Sequence, residues 1–146
     1  MKNFWQKTKH PILALAPMAG VTDSAFRALC RKNGADVVYT EMTAIDALYY
    51  GSEKTMNMLK KHRSEKPVVL QLFGKRPELV AKAVKHVEAA GFSGIDINFG
   101  CPVKKIQKQD ANLILNKLFS IRENPFHYLK KLKGNKLWRL RIKNYR

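Results

Sequence analysis

PVVLQLFGKRPELVAKAVKHVEAAGFSGIDINFGCP, residues Pro67–Pro102, is the stretch from which the fold is read. Pro67 to Phe73 is an apolar run broken only by Gln71 and stopped by Gly74. A run that short, with paired valines, reads as a buried strand. Pro77 sits where a first helical turn tolerates it, and Leu79, Val80, Ala83, Val84 and Val87 then repeat at helical spacing until Gly91. Ile95-Asp96-Ile97-Asn98 is the next strand, closed by Gly100-Cys101-Pro102. Strand, helix and strand make one βαβ unit.

The same rhythm extends toward the N-terminus. Ile12–Ala16 is an apolar run ending in Pro17, Gly20 and Thr22-Asp23, which predicts a strand and a loop. Thr22 or Asp23 caps a following helix whose expected apolar face is Phe26, Ala28, Leu29 and Cys30, and Gly34 ends it. Asp36–Thr40 is a strand by its β-branched and aromatic content. Residues 43–63 carry helical patterning in two pieces, broken near Gly51-Ser52. Strands beginning near 12, 37, 67 and 95 alternate with helices, the mark of an α/β chain with a parallel sheet. Two architectures fit: an open doubly wound sheet, or the N-terminal half, about four βα units, of a TIM (β/α)8 barrel needing about 250 residues. In either, ligands gather at the C-terminal strand ends, here Pro17-Met18, Glu41-Met42, Gln71 and Asn98.

The chain of 146 residues carries a formal charge of +17, unevenly. Residues 1–102 hold 15 basic and 9 acidic side chains; residues 103–146 hold 13 basic and 2 acidic. Such an excess favours polyanions, nucleic acid first among them. Two cysteines, Cys30 and Cys101, are too few for a disulfide framework and point to a reducing compartment. Lys2, Lys7 and Lys9 before Ile12–Ala16 imitate a secretory signal, but Pro17 interrupts the apolar run. No segment has the ~18 uninterrupted apolar residues of a membrane helix. The expectation is a soluble cytoplasmic protein, without membrane association and without a metal. Cys101 is the most suggestive side chain, since a thiol emerging at a strand end can act as nucleophile or general acid. Its bland alternative is a small apolar filler.

Four segments, in order at strand ends, carry a resemblance: Ala16–Asp23 (with Pro17-Met18-Ala19-Gly20), Thr40-Glu41-Met42, Gln71-Leu72-Phe73-Gly74, and Asp96–Pro102 followed by Val103-Lys104-Lys105. Over about residues 10–106 the chain resembles the N-terminal half of the tRNA-dihydrouridine synthases, nearest their bacterial B-type branch. The resemblance implies a TIM barrel with FMN across its mouth, NADPH as reductant and tRNA as partner. It implies flavin contacts from Pro17, Met18, Ala19 and Gln71, a target base oriented by Asn98, and Cys101 as catalytic acid. Gln71 has the alternative of filling the barrel mouth, and Met18 that of core packing. The family reduces the carbon 5–carbon 6 bond of a uridine, the flavin giving hydride to carbon 6 and a positioned thiol protonating carbon 5.

The tail departs from that pattern. Gln107–Asn112 stands where the family has a small-residue, glycine-containing stretch. Arg139-Leu140-Arg141-Ile142-Lys143 does not align with the fifth-strand lysine and arginine of the family, although Leu137–Ile142 alternates like a strand. The later histidine, the phosphate-binding loops and the helical tRNA-gripping domain belong past residue 146. His10, His62, His86 and His127 match no family position and read as surface residues. The expected organisation is a half barrel over 1–106 and a basic, non-matching tail over 107–146. A truncated product, arising from a change of reading frame after residue 105, accounts for both. Such a chain is expected to be weakly stable, to bind flavin poorly and to have little or no activity. Two other readings are weighed: a non-enzymatic basic fragment that binds RNA, and a flavin barrel related to dihydroorotate dehydrogenase, against which Gly100-Cys101-Pro102 argues.

Overall fold

Alternating apolar runs lay the chain down as five strands: β1 (Ala14–Leu15), β2 (Val37–Ala44), β3 (Val68–Phe73), β4 (Gly94–Asn98) and β5 (Arg139–Arg141). The computed structural model describes residues 11–74, 76–98 and 139–141. Between the strands run α1 (Ser24–Lys32), α2 (Ile45–Tyr49), α3 (Glu53–Met58), a 3-10 turn at Arg63–Glu65, and α4 (Pro77–Ala89). The sheet order is β1-β2-β3-β4-β5 and every neighbouring pair is parallel. A doubly wound sheet reverses its order at a switch point, whereas a barrel adds strands in sequence. The unbroken order therefore decides between the two architectures in favour of successive barrel units.

Both faces of the sheet are covered, as parallel sheets require. On one, Val38, Leu70, Leu72, Ile95 and Ile97 meet Ile45, Leu48, Leu79, Val80, Ala83, Val84 and Val87 from the helices. At about 1.5–3 kcal/mol per buried aliphatic side chain, this helix-side layer is the main source of stability. On the other face Val37, Tyr39 and Val69 pack with Ile12.

Punctuation follows the sequence closely. Asp23 caps α1, its carboxylate accepting from Phe26 N–H at 2.8 Å. Gly34, Gly51 and Gly91 have positive φ at the three helix ends where the sequence calls for them. One expectation is corrected. The buried residue of α1 is Arg27, while Leu29, which lies on the opposite side of the helix, is 55% exposed. Arg27 can be buried because Glu65 pairs with it. The alternation read at Leu137–Ile142 is borne out at Arg139–Arg141, where β5 lies parallel to β4 and pairs Asn98 with Arg141.

Candidate functional site

One residue is inserted in β2 near the end of the strand. Tyr39 pairs with Val69, yet Met42 pairs with Gln71, so three steps on β2 match two on β3. This bulge at Thr40-Glu41 re-aims the end of the strand. Thr40 Oγ1 accepts from Gln71 N–H at 3.1 Å, stitching the irregularity shut. Glu41 then reaches the loop after β1, where its carboxylate accepts from Gly20 N–H at 2.6 Å.

That loop holds Pro17, Met18 and Ala19. Met18 is 40% exposed. Its N–H donates to Thr22 Oγ1 at 3.1 Å, and its carbonyl accepts from Val21 and Thr22 N–H and from the Thr22 hydroxyl. Thr22 is fully buried and fixes the turn. With Met18 N–H engaged by the turn, Met18 offers its side chain, and Pro17 and Ala19 offer the remaining backbone.

On β3 and β4 the polar residues that face away from the helix layer are Gln71, Asp96 and Asn98. Gln71 is buried, and its Nε2 donates to Asp96 Oδ2 at 2.6 Å. Its Oε1 accepts from Asn98 Nδ2 at 3.4 Å, and the same Asn98 nitrogen lies 2.9 Å from Met42 Sδ. The carboxylate fixes which way the Gln71 amide points, since it can only accept a hydrogen bond. The second Gln71 Nε2 hydrogen has no partner among the described residues and remains for a ligand at the strand ends.

The structure thus brings together Gln71 and Asn98, and sets Pro17, Met18 and Ala19 on the neighbouring loop that Glu41 ties to β2. Cys101 lies outside the described residues. Asp96 and the loop tie of Glu41 are additional to the residues singled out from sequence. The signal for Asp96 is there: in Gly94-Ile95-Asp96-Ile97-Asn98 the polar residues occupy alternate positions between two buried isoleucines. His62 and His86 are exposed, as expected of surface histidines; His62 caps the 3-10 turn. Among the described residues there is no cluster of three His, Cys, Asp or Glu side chains that could hold a metal ion, and no helix long and apolar enough to cross a membrane.

A parallel sheet built in sequence order, with polar side chains gathered at its C-terminal ends, defines the N-terminal units of an α/β barrel. Residues 14–117 match the family profile of dihydrouridine synthase, and the chain belongs to that family. The tRNA-dihydrouridine synthase B of Xanthomonas campestris is 40% identical over 96 residues, covering 66% of this chain and 29% of that protein. Its counterpart in Pseudomonas aeruginosa is 41% identical over 103 residues, 70% of this chain and 31% of the other. A probable tRNA-dihydrouridine synthase of Helicobacter pylori is 37% identical over 121 residues, 77% of this chain and 37% of the other. The chain therefore spans about a third of the length of the curated relatives it matches.

Proposed function

We propose that this chain is the N-terminal catalytic part of an FMN-dependent tRNA-dihydrouridine synthase, an oxidoreductase that reduces a tRNA uridine to 5,6-dihydrouridine with NADPH as reductant. The observation that carries the reading is the Asn98–Gln71–Asp96 hydrogen-bond chain at the strand ends, with the Pro17-Met18-Ala19 loop, where Met18 and Ala19 are exposed, tied to β2 by Glu41. A fixed amide with a spare N–H next to an apolar loop suits a flat heteroaromatic ring with hydrogen-bonding edges, so these residues fit the flavin. Bound there, FMN supplies the hydride chemistry. Gln71, held by Asp96, binds the ring edge; Pro17, Met18 and Ala19 line its side. Asn98 orients the uracil. Cys101, three residues beyond Asn98, holds a proton at Sγ and gives it to carbon 5, leaving a thiolate.

The family match runs to residue 117; past it the tail departs from the course of the family under this proposal, and a change of reading frame accounts for its basic composition. The chain alone then binds FMN weakly, and co-elution of stoichiometric flavin through gel filtration contradicts this. A cytoplasmic location follows from the tRNA substrate. Incubation of the chain with FMN, NADPH and unmodified tRNA tests the reaction. Dihydrouridine that falls by about a hundredfold or more in Cys101→Ala supports it, the size expected for a lost general acid. Equal product from the variant overturns the role of Cys101. Salt-sensitive tRNA binding without product favours the second reading, a basic RNA-binding fragment, which rests on the span of about a third and the charge of residues 103–146.

A further inference from the structure

A second group of side chains stands at the same ends of β2 and β3, outside the amide cluster. α2 begins directly after β2, and Arg76 lies between β3 and α4. The two connections touch closely: a Cβ on Gly74 would come 3.1 Å from Ile45 Cβ and 3.5 Å from Asp46 Oδ2. This approach seats Arg76 on Asp46, whose Oδ1 accepts from Nε at 2.6 Å and also from a terminal guanidinium nitrogen. The other terminal nitrogen donates to Tyr50 Oη at 3.4 Å, and the guanidinium stands 5.6 Å from the centre of the Tyr50 ring. The Asp46 hydrogen bond, then that of Tyr50, holds the Arg76 pKa above its ordinary value. Tyr50 is 68% exposed and meets Tyr49 edge-on, ring centres 4.9 Å apart. Lys82 closes the row, its Nζ 5.0 Å from the centre of the Tyr49 ring and 3.3 Å from Tyr49 Oη.

Two cations flank an edge-on pair of tyrosines in this row, with the Tyr50 ring left in solvent. Asp46 restrains the guanidinium but leaves two of its N–H groups without a partner among the described residues. Exposed rings beside fixed cations are what a nucleic-acid strand uses: bases stack on the rings and phosphates meet the cations. The chain's charge of +17 favours such a polyanion over an acidic peptide, which has no bases to stack on Tyr50.

We infer that Tyr49, Tyr50, Arg76 and Lys82 form a rim surface that holds the RNA strand flanking the reactive uridine. This rests on the proposed function for the choice of tRNA, and the two are tested separately. The full chain is titrated with a fluorescein-labelled, unmodified tRNA transcript over a series of salt concentrations, with anisotropy as readout. Removing both cations, Arg76→Ala with Lys82→Ala, is expected to weaken binding about tenfold and to lower the salt slope by about 1.5, at roughly 0.7–0.9 per phosphate contact. Tyr50→Ala is expected to cost about fivefold or more while Tyr50→Phe binds like wild type, because stacking needs the ring and not the hydroxyl. The exposed pair Lys32→Ala with Lys54→Ala removes the same charge elsewhere. Equal weakening by that pair, or an unchanged salt slope without Arg76 and Lys82, overturns the inference. Dihydrouridine formation with binding indifferent to Arg76 and Lys82 keeps the reaction and loses the surface; the reverse pattern keeps the surface and loses the reaction.

Discussion

Two arginine–carboxylate pairs in this chain use the same chemistry in opposite surroundings. Arg27 and Glu65 are buried, with 3% and 0% of their side chains exposed, whereas Arg76 and Asp46 are 40% and 38% exposed. The buried pair is fully engaged: Glu65 accepts from Arg27 Nε at 2.6 Å, from Ser24 Oγ and from His62 N–H. Arg27 also donates to the Thr22 carbonyl at 2.7 Å and the Lys60 carbonyl at 3.4 Å. It thereby joins α1, the loop after β1 and the 3-10 turn before β3. The rim pair sits in water with a ring beside it and guanidinium donors to spare. Burial makes the first pair costly to break; exposure leaves the second free to meet a partner.

The largest expected effect tests the buried member. Glu65→Gln leaves the Arg27 charge without its counter-ion in a dry site, and unfolding by urea is expected to show a loss of about 3–5 kcal/mol. A loss below about 1 kcal/mol breaks the contrast between the pairs. The double change Arg27→Met with Glu65→Leu recovers most of the loss, because the cost lies in the unpaired charge.

Lys61 gives a smaller effect next to the same pair. Burial first, then the charges of Lys66 and Arg27, lower its pKa from 10.5 against the opposing pull of Glu65. Its contacts with the Ala90 carbonyl and the Phe92 ring, 4.2 Å to the ring centre, do not reverse that direction. Between the lowered folded value and 10.5 the unfolded chain binds more protons, so this residue makes stability rise with pH in that alkaline window. Lys61→Met is expected to flatten the rise, which urea midpoints across the window measure. An unchanged slope removes Lys61 from the account.

The smallest effect is at the rim. Asp46→Asn is expected to leave the thermal midpoint unchanged within error, at low and at high salt, since exposed ion pairs contribute little and are screened. A clear drop in the midpoint shows that Asp46 supports the fold and erases the contrast.

Most of the fold was legible because its signals are local. The apolar runs at Pro67–Phe73 and Ile95–Asn98, the Asp23 cap and the glycines at 34, 51 and 91 need only their own neighbours to be read. The misreading of α1 had a non-local cause: the partner that lets Arg27 be buried lies 38 residues away. Within the site, Gln71 and Asn98 were legible as polar residues at strand ends. Asp96 passed unnoticed because its role is to hold another side chain, and the Glu41 tie to Gly20 depends on a bulge that no spacing rule marks. The rim cluster was hidden for the same reason, its members being contributed by α2 and the residue that caps its end, by α4 and by the connection before α4.

By itself the sequence determined the alternation of strands and helices, the parallel α/β class and the family, because hydrophobic period, caps and glycine-bearing loops are encoded within short windows. The tertiary structure alone decided the unbroken strand order, the insertion that turns β2 into the mouth, and the pairings Gln71–Asp96, Arg27–Glu65 and Arg76–Asp46. Those depend on which residues distant in the chain are brought within hydrogen-bond reach, and on whether water is excluded there, and both are fixed only when the sheet and its helices pack.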